Sequence, residues 1–185
     1  MQGQLDTELN SRGIAQAVGA AEVLSERKPA LIVSSDLGRA ASTAKSLATR
    51  VGLPVRHDER LRETHLGEWQ GLTHTEVEDR WPGGLQRWRT EAHWAPPGGE
   101  TRVQVAERGV AVVRELDDDE WTDRPVVLVA HGVLIIAVTA ALLQIPVARW
   151  SMLGGLGNTR WVELSTHRSG SSAEWSLDAW NAGVQ

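Results

Sequence analysis

His131 closes the run Pro125-Val126-Val127-Leu128-Val129-Ala130-His131-Gly132. Five apolar residues in succession, three of them Val, predict a strand buried on both faces. Val133 to Leu143 reads as a buried helix. In open α/β sheets, ligands bind at the carboxyl ends of parallel strands, beside the next helix N-terminus. An imidazole there faces a position suited to anions, although a hydrogen-bonded core histidine is the competing reading. Arg39 ends Ser35-Asp36-Leu37-Gly38-Arg39, which follows a short apolar strand, Ala30 to Ser34, and opens a helix. A guanidinium beside free helix N–H groups suits phosphate because it adds a bidentate donor. The alternative is a surface Arg in a first turn. Glu63 lies in Leu61-Arg62-Glu63-Thr64-His65-Leu66-Gly67-Glu68-Trp69-Gln70-Gly71, a non-periodic run. Its carboxyl group can act as a general acid if burial or phosphate raises its pKa. Otherwise it is a solvated loop Glu.

The remaining histidines, His57, His65, His74, His93 and His167, show no HExxH pattern and read as structural or exposed. The loop Gly154 to Gly157 lacks dinucleotide-binding spacing and reads as a turn. The absence of Cys excludes disulfides, thiolate metal sites and a Cys nucleophile.

These residues need positioning elements. Asn10 is a candidate N-cap for a helix with Ile14, Ala17, Val18, Ala21 and Leu24 inward, ended by Pro29. A second helix places Ala40, Ala44, Leu47, Ala48 and Val51 on one face, and Pro54 to His57 reads as a strand. Residues 58–97 read as an irregular insertion with short helical pieces, one opened by Thr73 and Glu76 at capping-box spacing. Thr101 and Gln104 open a helix with Val105, Val112, Val113 and Leu116 inward. Asp117 to Asp123 reads as an acidic exposed loop. Thr159 to Thr166 and Ala173 to Trp180 alternate, which predicts paired strands at the sheet edge. The order predicts an α/β three-layer sandwich, a mostly parallel sheet with helices on both faces.

A chain of 185 residues fits one domain, 1–185. The net charge of −5 argues against broad binding of nucleic acid. No apolar run reaches the length of a membrane span, and the start lacks a signal-peptide pattern. A cytoplasmic setting is the expectation. Nine Trp with no Phe or Tyr put Trp in the aromatic core positions.

Together, the motifs Ser35-Asp36-Leu37-Gly38-Arg39-Ala40 with Thr43-Ala44, Leu61-Arg62-Glu63 with Gly67-Glu68-Trp69-Gln70-Gly71, Gly98-Gly99-Glu100-Thr101, and Val129-Ala130-His131-Gly132 resemble the histidine phosphatase superfamily. Their order agrees and they cover essentially the whole chain. The resemblance implies a phosphoglycerate mutase-like fold and a phosphomonoesterase that works through a phosphohistidine intermediate on a small phosphorylated sugar acid. It implies Arg39 and His131 as phosphate ligands, His131 also serving catalysis by stabilising charge, Glu63 as proton donor and Gln2 as a contact to the phosphate or the sugar acid, with no metal and no cofactor. The family opens with a central strand ending in Arg-His-Gly, whose His is the nucleophile. This chain has no such run. The expectations are therefore a missing first central strand, an N-terminally truncated chain and little or no activity from these 185 residues. A mutase and a non-catalytic sugar-phosphate-binding module are the rival readings. A homodimer is expected from the resemblance alone.

Overall fold

The structure, a computed structural model, describes residues 1–117, 124–169 and 172–183. In chain order it places α1 (Ser11–Glu26), β1 (Leu31–Ser34), α2 (Gly38–Val51), β2 (Val55–His57), α3 (His74–Arg80), α4 (Gly84–Thr90), α5 (Arg102–Asp117), β3 (Val126–Val129), α6 (Gly132–Leu142), β4 (Trp161–Ser169) and β5 (Ser172–Ala182). Short 3-10 turns lie at Glu59–Leu61, Gly67–Trp69 and Val147–Met152.

β1 is the middle strand of a parallel sheet, order β2-β1-β3. Ser34 stands opposite His57 on one side and Val129 on the other. The loops leaving β1 and β3 therefore emerge side by side. Side chains alternate between the faces, as the period of a strand requires. Ile32, Val127 and Val129 join Ala21 of α1 and Ala44, Leu47 and Ala48 of α2. Leu31, Val33, Val126 and Leu128 join Val105 and Val112 of α5 and Leu134 and Ala137 of α6. These are the helix, sheet and helix layers expected from the element order.

The caps follow the sequence signals. The Asn10 side chain accepts from Gly13 N–H at 2.9 Å. Thr73 and Glu76 form a reciprocal capping box at α3, and Thr101 and Gln104 do the same at α5. Each such cap contributes about 1 kcal/mol.

Two expectations are corrected. On α1, Ile14 is 53% and Val18 is 47% exposed, whereas Ala17, Ala20 and Ala21 are buried. At 100° per residue, Ile14 and Val18 lie roughly 70–110° round the helix from the face centred on Ala17 and Leu24. The alternating segments near the C-terminus do pair, but as a separate antiparallel sheet, β4-β5, rather than as an edge of the main sheet. Their backbone groups satisfy each other, and a cavity lies between β4 and β3. Most of the predicted acidic loop, 118–123, lies outside the described residues.

The segment 58–97 holds two of the 3-10 turns with α3 and α4. It builds its own small core around the fully buried Trp69, whose ring centroid lies 5.4 Å from Trp94, 6.2 Å from Trp81 and 6.3 Å from Trp88. Four of the nine Trp thus pack on one another.

Candidate active site

Arg39, Glu63, His131 and Gln2 line one cavity of about 1920 Å³. Arg39 enters from the first turn of α2, His131 is the residue before α6, and Glu63 comes from the loop after the first 3-10 turn. The sequence reading expects free helix N–H groups to face an anion here. The structure gives some of them to the chain's own carboxylates instead. Asp6 Oδ1 accepts from Gly38 N–H at 2.7 Å, and Glu63 Oε2 accepts from Val133 N–H at 3.2 Å.

His131 is 8% exposed, and its Nε2 shares a 2.9 Å hydrogen bond with Ser35 Oγ. Burial, with the charges of Arg39 and Arg108 next, pushes its pKa down to about 3. It is a neutral imidazole near pH 7, so it offers a hydrogen bond rather than a charge. Glu63 behaves oppositely. Part of its surface is exposed, yet its carboxyl group is closely enclosed. That enclosure raises its pKa above the ordinary glutamate value, against the N–H groups of Thr64, Val133 and Leu134 and the charge of Arg39. Burial also lowers the Arg39 pKa, but Glu63 and Asp6 act against it, and a guanidinium stays charged. The cavity therefore holds a fixed cation, a neutral imidazole and a carboxyl group disposed to keep its proton.

Sequence reasoning missed the supports. Arg39 donates through Nη1 to Leu5 O and through Nη2 to Gly3 O, both at 2.8 Å, so it also pins the segment that carries Gln2. Gln4 Nε2 donates to Glu63 O at 3.0 Å. Arg108 of α5 donates Nη1 to the carbonyls of Arg60 and Arg62 and Nη2 to that of Glu63. Its Nε pairs with Glu100 at 2.9 Å, and Glu100 accepts from His65 N–H. The Glu63 loop is thus held from α5 by its backbone. The sequence offered one signal, the charge pair Glu100 and Arg108 bracketing the start of that helix. Gly67 and Gly99 complete the crossing. A Cβ on Gly67, at φ +51, would lie 2.0 Å from Pro97 O, and one on Gly99 would lie 2.6 Å from His65 O.

Among the described residues, no group of three His, Asp or Glu could hold a metal ion, and no helix is long and apolar enough to cross a membrane.

The profile of the histidine phosphatase superfamily (branch 1) matches residues 1–182. Glucosyl-3-phosphoglycerate phosphatase of Mycobacterium tuberculosis is 58% identical over 196 residues, spanning all of this chain and 88% of that protein. The enzyme of that name from Mycolicibacterium vanbaalenii is 56% identical over 198 residues, with the same coverage. The native structure of a mycobacterial glucosyl-3-phosphoglycerate phosphatase superposes with a TM-score of 0.95 at 58% identity, covering 100% of this chain and 92% of that one. Its complex with inorganic phosphate gives 0.95 at 57% identity, covering 99% and 91%. This chain belongs to the histidine phosphatase superfamily, with the phosphoglycerate mutase-like fold. Its function is that of a phosphatase, a hydrolase.

Proposed function

We propose that the cavity binds the phosphate of glucosyl-3-phosphoglycerate or a closely similar phosphorylated sugar acid, and that it carries the proton-transfer half of the hydrolysis. The observation that carries this reading is the placement of Glu63, its pKa raised by enclosure, in one cavity with Arg39 and His131. The names of the relatives supply the substrate.

Arg39 and His131 hold the phosphoryl oxygens, and Gln2 contacts the phosphate or the sugar acid. In the family's chemistry an imidazole nitrogen attacks phosphorus as the P–O bond to the substrate breaks. Glu63 gives its proton to the departing alkoxide. It then takes a proton from water, whose oxygen attacks phosphorus as the N–P bond breaks and phosphate leaves. Charge on the transferring oxygens is met by Arg39 and by the His131 hydrogen bond, without need of a metal.

The attacking imidazole belongs to an Arg-His-Gly run that residues 1–185 do not contain. His131 matches the second, phosphate-binding His, and its Nε2 is engaged by Ser35. The 185-residue protein is therefore expected to bind and not to turn over. Titration calorimetry with inorganic phosphate and with glucosyl-3-phosphoglycerate checks the first part, and release of phosphate from the same substrate checks the second. Arg39→Ala should weaken phosphate binding at least tenfold. Binding unaffected by that change would remove the phosphate site from this cavity. Turnover at rates usual for an enzyme, on the order of 10 s⁻¹, would give His131 or another group the nucleophile's role.

A further inference from the structure

Ser35 directly follows β1 and is wholly buried. The sheet fixes its place. Ser35 N–H donates to Val129 O at 2.9 Å, and His131 lies two residues beyond Val129, at the start of α6. Ile135 N–H donates to His131 O at 2.9 Å, so the first turn of α6 holds the histidine backbone. Two side chains on neighbouring parallel strands thus meet, with Ser35 Oγ 2.9 Å from His131 Nε2.

Neutral near pH 7, the His131 ring has one proton to place. The contact with Ser35 has two forms. In one, Nε2–H donates to the hydroxyl oxygen and Nδ1 is a bare acceptor. In the other, the hydroxyl donates to Nε2 and the ring proton sits on Nδ1. Counting donors and acceptors separates them. Among the described residues Ser35 Oγ has two partners, His131 Nε2 and Leu37 N–H, the second at 3.3 Å. Leu37 N–H can only donate. If Nε2 also donated, the Ser35 hydroxyl proton would have no acceptor in a residue without exposed surface, and an unmatched buried polar group is costly. If the hydroxyl donates to Nε2, all three groups are matched.

The other ring nitrogen faces the ligand. Nδ1 has no hydrogen-bond partner among the described residues, yet it is not one of the buried atoms left unpaired, so it opens on the cavity that His131 lines. A protonated Nδ1 offers that cavity a donor, whereas a bare Nδ1 turns a lone pair on the oxygens of an anion. The donor matters because Arg39 already commits Nη1 to Leu5 O and Nη2 to Gly3 O.

We infer that Ser35 is a positioning residue for phosphate: its hydroxyl donates to His131 Nε2, keeps the ring proton on Nδ1 and so presents an N–H to the phosphoryl oxygens. It acts through His131 and takes no part in proton transfer. The inference rests on the phosphate reading for its ligand and on the hydrogen-bond count for the tautomer.

NMR of the nitrogen-15-labelled 185-residue protein tests the two parts separately. Long-range proton–nitrogen correlation at pH 7, without ligand, reads which ring nitrogen is protonated. The His131 signals are identified by their absence in His131→Asn. The parent should show a protonated Nδ1, an unprotonated Nε2 and a slowly exchanging Ser35 hydroxyl proton close to the ring. Added inorganic phosphate should shift the Nδ1 signal of His131 more than any other histidine nitrogen. Ser35→Ala should weaken phosphate binding about tenfold, the loss expected when one hydrogen bond to a charged group is misaligned, with an amide spectrum otherwise like the parent's. A protonated Nε2 in the ligand-free parent would overturn the assignment, as would a Ser35→Ala protein that binds phosphate as tightly as the parent. So would weaker binding accompanied by altered amide signals along β1 and β3, which would make Ser35 a packing residue only. A parent with Nδ1 protonated that fails to bind phosphate would support the tautomer assignment and overturn the phosphate reading of the cavity instead.

Discussion

At the scale of single residues, two buried acids and bases pull the stability of the protein in opposite directions with pH. His131 has its pKa lowered to about 3, against about 6.5 in an unfolded chain. The folded state disfavours its proton, so its contribution is fully present above pH 6.5 and is lost as pH falls toward 3. The loss amounts to roughly 1.4 kcal/mol per pH unit across that window. Glu63 has a raised pKa. Its contribution is fully present below the unfolded value and is lost as pH rises through the folded one. Urea titrations at several pH values should show both limbs. His131→Asn should flatten the acid limb alone, and Glu63→Gln should flatten the limb above the ordinary carboxylate range. An unchanged acid limb in the His131 variant would mean that the imidazole titrates normally. That Arg39, Glu63 and His131 meet in one cavity was legible in the sequence, because each sits at a strand end or inside a motif. Ser35 as the partner of His131 was not, since 96 positions separate them and only the parallel register of β1 and β3 brings them together.

At the scale of elements, the Glu63 loop keeps its shape through α5. Arg108 binds three carbonyls of that loop and pairs with Glu100, with side chains 18% and 24% exposed. Arg108→Ala leaves those acceptors and the Glu100 carboxylate short of partners. It should destabilise the protein by about 2–4 kcal/mol, read as a lower urea midpoint. Glu100→Gln keeps the acceptor that receives His65 N–H and should lose less. Gly67→Ala meets both a positive φ and a backbone oxygen 2.0 Å from the new Cβ. It should destabilise by about 2 kcal/mol or more, and a midpoint like the parent's would show that the Gly67 and Pro97 crossing can open freely. Helix starts were readable because caps are local: Asn10, Thr73 and Thr101 announce them within four residues. The exposed flank of α1 was not, because the period of Ile14 and Val18 is helical whichever way the helix turns. The separation of β4-β5 from the main sheet was equally hidden. Alternation predicts a strand but not its neighbour.

At the scale of the whole molecule, the electrostatics of binding run against the overall field. The chain carries a formal net charge of −5, so a phosphate dianion approaches a surface that repels it. Raising the salt concentration should therefore weaken phosphate binding less than it would for a basic protein, because screening removes repulsion as well as attraction. Inside the cavity, only Arg39 brings a permanent positive charge among the three proposed reacting or binding side chains. The Glu63 pKa is raised and His131 is neutral. A dianion placed beside them raises the proton affinity of both. Binding should thus draw protons out of solution, to an extent that grows as pH rises past the ligand-free pKa of Glu63. Calorimetry in two buffers of different ionisation enthalpy reads that number directly, and equal heats in both would show no uptake. On the proposed reading the cavity is a receptor for anion and acid together, and any proton that Glu63 lacks before binding is recruited by the phosphate itself on arrival.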